Sequence, residues 1–463
     1  MEPSNKIINT LTLVAKIFFI GLLLQFFLQT FVTFKLWLDG TFWKLLWMWK
    51  EIIIIGLLGF LGRYFWKQKK FRSFFEKFPL KNFVRVFLAT VIVSFLVSVF
   101  INGSGIGTWI MSVRYSMIGF AIFIIFFTIT IVFFWAREFN LVKRYSRLMK
   151  TLLIGSLIRW GVIRLMPNLL KFAGYNQFNY EGDVGIAPPA AYYTRYDQWL
   201  VRNQFLFERP ISRGFFLVAF WPLFFILCFK NKPRGERFLR GSLYGIAVMS
   251  TFSRAARAVR ILQTLIMILA QFPRKYWKFA LRWFIPLILL FAVVIYFGQR
   301  QIISREFSNT GHFNMVVEAL QKIGERPIRG QGAWTAGPAS HQVEGIKAYN
   351  PENQYLQIRL EYGALGFLGR LYLYGYLHYI AYTSYKEEKK HDDKATKKKK
   401  LYGAIVFAFG IGILWLSIEG LVLHSFVDRM IVYPFAALFA IAYGLYVKDK
   451  YIQWWYTNTN IKK

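Results

Sequence analysis

Runs of about twenty mostly apolar residues, separated by polar stretches, recur along the whole chain, and each is long enough to cross a hydrocarbon layer. They fall near residues 8–31, 43–66, 83–102, 116–136, 151–167, 214–230, 239–254, 256–272, 279–297, 353–383, 402–423 and 429–447. The pattern predicts an all-α, polytopic membrane protein of about 12 transmembrane helices, residues 1–463 forming a single integral membrane domain. The first run is too long for the core of a removable signal peptide and has no small-residue cleavage site, so it is expected to stay as a span.

Lys and Arg crowd every second connection: 67–82, 137–150, 230–237, 272–278 and 384–401. Basic residues stay on the cytoplasmic side, so both termini are expected there and the alternate connections face outward. Two outward connections are long. The first, 168–213, is broken by prolines and glycines and no long helix is expected in it. The second, 298–350, lies between helices 9 and 10 and carries one amphipathic segment. There Phe313, Val316, Val317, Leu320 and Ile323 recur at helical spacing, Ser308, Asn309 and Thr310 offer caps, and Gly324 offers a stop. This helix is expected to lie on the membrane surface or over the bundle. The Gly- and Pro-rich run RPIRGQGAWTAGPAS follows, with a backbone able to come close to a ligand or simply to turn at the surface.

Composition sharpens the class. The chain is 56% hydrophobic and 20% aromatic, more apolar side chain than a soluble domain of 463 residues can hide. Its net charge of +36 sits in cytoplasmic connections, above all in the basic loop 384–401. That placement points to anionic membrane lipids or solvent and away from nucleic acid. His391, Asp392 and Asp393 are interspersed with lysines there and read as a solvated loop rather than a metal site. The single cysteine, Cys228, lies in a predicted span, which excludes a disulfide framework and a thiolate metal site. On the outer side the acidic residues Glu181, Asp183 and Asp197 are scattered, and no metal is expected.

Several charges fall where the pattern is otherwise apolar. Arg254, Arg257 and Arg260 sit in TFSRAARAVR, at an outward hinge, with spacings of three that place them along one side of a helix. They either snorkel to headgroup phosphates or grip the phosphates of a ligand, since guanidinium forks bind phosphate oxygens bidentately and stay charged. Arg159 and Arg164 of the fifth span could join them. At the start of the tenth helix, Asn350 is expected as N-cap, Pro351 at the first helical position and Glu352 in the first turn, where the helix dipole favours a carboxylate. The same carboxylate, beside Asn353 and Gln354, is placed to take a proton from an incoming hydroxyl. Asn353, Gln357 and Glu361 follow at four-residue intervals, a polar stripe that should face protein or a cavity.

Three stretches in order, TFSR at 251–254, GHFNMVVEALQKIGERPIRGQG at 311–332 and ENQYLQIRLEYGALG at 352–366, resemble the bacterial O-antigen ligase and O-antigen polymerase group of membrane glycan transferases. Outside residues 251–370 the likeness is one of span count and topology. The resemblance implies transfer of a glycan from a polyprenyl-diphosphate carrier to an acceptor at the outer face of the cytoplasmic membrane, in surface polysaccharide assembly, with no nucleotide sugar, cofactor or metal. Arg254 matches the arginine that faces the lipid-linked diphosphate in that group, and Arg257 is expected to assist it. His312 stands where the group often has a second arginine, and Glu352 where it has a catalytic histidine. Either Glu352 or His312 can therefore supply the base, with Asn353 and Gln357 binding substrate.

This inventory suits the chemistry. A diphosphate leaves as a stable anion and needs cations rather than a general acid, while the attacking hydroxyl needs a base. The acceptor is a glycan, a lipid or a protein, and the sequence does not separate ligase from polymerase. A transporter or flippase of lipid-linked glycans would use similar intramembrane arginines, but it is expected to show paired halves or matching interrupted helices, which the chain lacks.

Overall fold

The computed structural model describes residues 5–35, 48–68, 75–133, most of 150–166, 176–178, 190–192, 207, 210–228, 233–251, 253–271, 282, 306–337, 340, 349–390, 397–421, 424–426 and 429–459. Arg282 apart, the predicted span 279–297 lies outside these residues, as do Arg159, Arg164, Glu181, Asp183, Asp197, His391, Asp392 and Asp393.

Helices make up most of the described residues. In chain order they are α1 (Asn5–Lys35), α2 (Trp49–Gln68), α3 (Lys81–Phe95), α4 (Ile106–Ser116), α5 (Ile118–Phe133), α6 (Pro210–Cys228), α7 (Arg234–Met249), α8 (Arg254–Gln271), α9 (Glu306–Glu325), α10 (Gln354–Lys390), α11 (Lys397–Glu419) and α12 (Arg429–Thr459). Among the described residues four helices are long and apolar enough to cross a membrane, within Asn5–Leu22, Lys81–Ile101, Lys399–Glu419 and Ile431–Lys448. The pair α4 and α5, bent by 63°, makes a fifth if counted as one broken span. Helix α10 is long, but no stretch of it belongs to that set.

Two features depart from the sequence expectation. In the connection 168–213, Asn176–Phe178 pairs in parallel with Ala190–Tyr192, so the regular structure of the described residues is helical apart from one short two-stranded sheet. The predicted basic loop 384–401 is shortened by helix from both ends, because α10 runs to Lys390 and α11 begins at Lys397. A run of lysines extends a helix readily, since its straight side chains lose little rotamer freedom there.

The core is aromatic. Helices α5, α6, α10, α11 and α12 pack around Phe123, Phe127, Phe220, Phe409, Phe435 and Phe439, all buried and in ring contact with at least one other of the set. Small residues set the closest approaches: Gly444 of α12 lies over Thr130 of α5 with no room for a further methyl group. Without a hydrophobic drive between helices in lipid, such close contact is what holds a bundle together.

Candidate functional site

The site is built from connections that the charge alternation assigned to one side. Helix α3 ends in a π-helical turn, Leu96–Ile101, which leads into Asn102. That turn buries Ser98, whose Oγ accepts a 3.2 Å hydrogen bond from the Ala333 amide, and Asn102 Oδ1 accepts one of 3.3 Å from Arg326. The stretch 326–337 is thereby held against the end of α3. Tyr115 of α4 meets the ring of Trp334 at 6.1 Å.

The same stretch is tied to α10 through the backbone. Gly363 has φ +63°, a conformation foreign to a helix interior, and there α10 kinks. The break frees carbonyls that the loop takes up. Gln331 donates to Leu360 O at 2.6 Å and Gly332 to Glu361 O at 3.1 Å, while the Ala364 amide donates to Ile328 O at 2.9 Å. A Cβ on Gly363 would fall 1.9 Å from the Ile328 carbonyl oxygen, so this approach requires glycine.

Two members of the predicted polar stripe face this loop. Gln357 and Glu361 are buried, Gln357 Nε2 donating to Ala336 O at 3.4 Å and Glu361 Oε1 accepting from the Trp334 amide at 3.1 Å. Further along, Arg370 reaches Ser116 Oγ at 2.7 Å and stacks 4.4 Å over the Tyr362 ring, whose hydroxyl bonds Ser112. The stripe serves to seat the Gly-rich loop on the bundle.

The mouth of α10 differs by three residues from its sequence expectation. Asn353, not Asn350, caps the helix: its Oδ1 accepts from the amides of Tyr355 and Leu356, each at 3.0 Å. Pro351 and Glu352 precede the helix, and Glu352 has φ +49°, so it is not a first-turn residue. Asn350 Oδ1 instead accepts the Glu352 amide at 3.2 Å and bonds His424 Nε2. With the nearer asparagine closing the helix, the farther one is released to shape the turn.

The turn between α11 and α12 completes the mouth. Asn353 Nδ2 donates to Leu421 O at 2.7 Å, the Gln354 amide to Gly420 O at 2.9 Å, and Gln354 Oε1 accepts the Phe426 amide at 2.9 Å. Burial pushes the His424 imidazole down to about 4, so the ring is neutral. Its Nδ1 is buried and without a partner among the described residues, as are both carboxylate oxygens of Glu419 at the end of α11. Neither residue stood out in the sequence. The available signal was a histidine in a short polar interruption between two apolar runs.

The arginines part company. Helix α8 starts at Arg254, with Ser253 Oγ accepting the Ala256 amide at 3.4 Å as its cap. Arg257, half-buried, donates to Met249 O at 3.2 Å. Arg260 is buried with its guanidinium 3.5 Å over the Trp221 ring, committed to packing against α6. Below the turn, buried Arg213 donates to Ser250 at 3.1 Å and Ser156 at 2.7 Å and so fixes the segment that delivers Arg254. Glu352, Asn353 and Gln357 thus lie about the start of α10, and Arg254 and Arg257 lie in the first turn of α8. Helix α11 packs against α8 and, through Gly420 and Leu421, carries the start of α10.

His312 lies inside α9, which begins at Glu306, so Ser308, Asn309 and Thr310 are helical residues rather than caps. The helix ends at Glu325, one residue past Gly324. Ala319 and Ile323 pack with Tyr349 and Leu360, whereas Phe313, Val317 and Leu320 point outward, as expected of a helix lying against a membrane surface.

Residues 241–371 match the family model described as O-antigen ligase, which covers the stretch whose motifs carried the resemblance. No curated protein matches the chain. Residues 241–371 are thus similar to O-antigen ligases, and the described residues include four helices long and apolar enough to cross a membrane.

Proposed function

We propose that the protein transfers a glycan from a polyprenyl-diphosphate carrier to an acceptor at the outer face of the bacterial cytoplasmic membrane, as a ligase or polymerase of surface polysaccharide assembly. The observation that carries this reading is the O-antigen ligase match, which ends within α10 and takes in α8, α9, the Gly-rich loop and the mouth of α10. Arg254 at the start of α8, with Arg257 one turn on, holds the diphosphate and offsets the charge that grows on it as the anomeric bond breaks. Asn353 and Gln357 belong to the acceptor side. Glu352 and His312 are the groups the sequence offers there for the hydroxyl. No metal takes part, and the partners are the lipid-linked donor, a glycan, lipid or protein acceptor, and the surrounding lipid.

The test uses the purified protein in lipid nanodiscs with a polyprenyl-diphosphate-linked glycan and candidate acceptors. A new glycosidic bond, formed equally well with chelator present, is the expected result. Movement of intact donor between leaflets of proteoliposomes without a new bond would make the protein a transporter. Arg254→Lys keeps the charge but loses the bidentate fork. It should lower turnover at least tenfold at an unchanged protein level, and wild-type turnover would leave Arg254 with the headgroups alone.

A further inference from the structure

We propose that His424, held by Asn350, is the general base that takes the proton from the attacking hydroxyl; this assignment rests on the transferase reading above. The argument begins with Asn350. Its side-chain oxygen accepts the Glu352 amide, and a backbone N–H can only donate, so the atom at that position is oxygen rather than nitrogen. The same oxygen bonds His424 Nε2, which must therefore carry a hydrogen. A neutral imidazole with its proton on Nε2 has its basic lone pair on Nδ1. That atom is buried and meets no donor among the described residues.

A buried acceptor left unmet costs about 1–3 kcal/mol, and a hydroxyl docking on Nδ1 would remove that cost. A base fixed in tautomer and direction by a neighbouring side chain, beside the groups that bind substrate, is the arrangement that activates hydroxyl nucleophiles in general. Here the neighbour is an asparagine, which orients the ring without adding charge. Glu352, displaced from the helix and half-buried next to Asn350, then accepts a hydrogen bond from the incoming acceptor.

The step balances. The acceptor O–H gives its proton to Nδ1, its oxygen forms the bond to the anomeric carbon, and the carbon–oxygen bond to the diphosphate breaks with its electron pair leaving on the phosphate oxygen. The imidazolium then returns its proton to water or to the released diphosphate.

His424→Gln is the informative variant, because the glutamine amide still donates to Asn350 but has no basic nitrogen. Single-turnover transfer in nanodiscs should fall 10²- to 10⁴-fold, the usual contribution of a general base, with binding of the lipid-linked donor retained. Added imidazole should restore part of the rate to His424→Gly. Transfer by His424→Gln within threefold of wild type would overturn the assignment, and a hundredfold loss in Glu352→Gln alongside it would pass the role to Glu352. Loss of donor binding together with transfer, or no rescue by imidazole, would assign His424 to packing and overturn it equally. Wild-type protein that forms no glycosidic bond would instead refute the transferase reading itself.

Discussion

At the level of single residues the mouth of α10 turns on two side chains whose environments oppose their ordinary behaviour. Glu352 adopts φ +49°, a region that costs a residue with a Cβ about 1–2 kcal/mol and that asparagine tolerates better. The surrounding bonds hold it there: Asn350 captures its amide and Asn353 closes the helix one residue later. His424 is neutral because burial disfavours its charge, with its folded value at about 4 against about 6.5 when unfolded. Between those values the unfolded chain binds a proton that the folded chain refuses, so folding stability falls as pH drops from about 6.5 towards 4. Thermal unfolding in detergent should show this loss for the wild type, and His424→Gln should flatten the slope in that window. An identical slope in both proteins would mean that His424 is not buried neutral. The sequence revealed the asparagines, the proline and the glutamate but not which asparagine caps, because both fit the rule and their partners Leu421 and His424 lie far along the chain.

For helices and loops, legibility followed the period of the pattern. Where they are described, the long apolar runs are helices close to where expected. The irregularities were less visible: the π-turn at the end of α3, the separate helix α4, and the kink at Gly363 each depend on contacts with segments far along the chain. Glycine at 363 could be seen; that its neighbours' carbonyls are paired by residues 331 and 332 could not. Gly363→Ala tests the pairing. The added methyl meets the Ile328 carbonyl and a φ it cannot easily hold, so folding should weaken by more than about 2 kcal/mol, seen as a lower melting temperature and lower yield from membranes. Stability equal to wild type would mean the loop does not sit on the break. Helix α9 was legible in its apolar stripe, but its start was placed too late, because Ser308, Asn309 and Thr310 favour caps without forbidding helix.

For the molecule as a whole, the positive-inside rule predicts an orientation. Described residues of three connections that this rule assigns to one side touch one another: Asn102 and Tyr115 meet Arg326 and Trp334, and Asn353 and Asn350 meet Leu421 and His424. Cysteine labelling tests the orientation directly. In a Cys228→Ser background, Gln342→Cys should react with an impermeant reagent from outside the cell, and Lys398→Cys only after permeabilisation. The inverse pattern would turn the proposed site towards the cytoplasm. What the sequence could not disclose at this scale is how the starts of α8 and α10 relate, since α11, which touches both helices, is an ordinary apolar run in sequence.

The stretch before that mouth is closed at its base. Gly337 donates to Tyr349 O at 2.7 Å, and the Tyr349 amide donates to Ser340 Oγ at 3.0 Å. Chain length between Ser340 and Tyr349 is therefore uncoupled from the position of Asn350 and everything after it. Doubling the length of a flexible chain between two tied points costs only about 0.6 kcal/mol of closure entropy. The region can grow, shrink or change its polar decoration with little penalty to the helix behind it. A transferase facing many different surface sugars could vary here first, as a workshop changes the jaws of a vice without moving the bench.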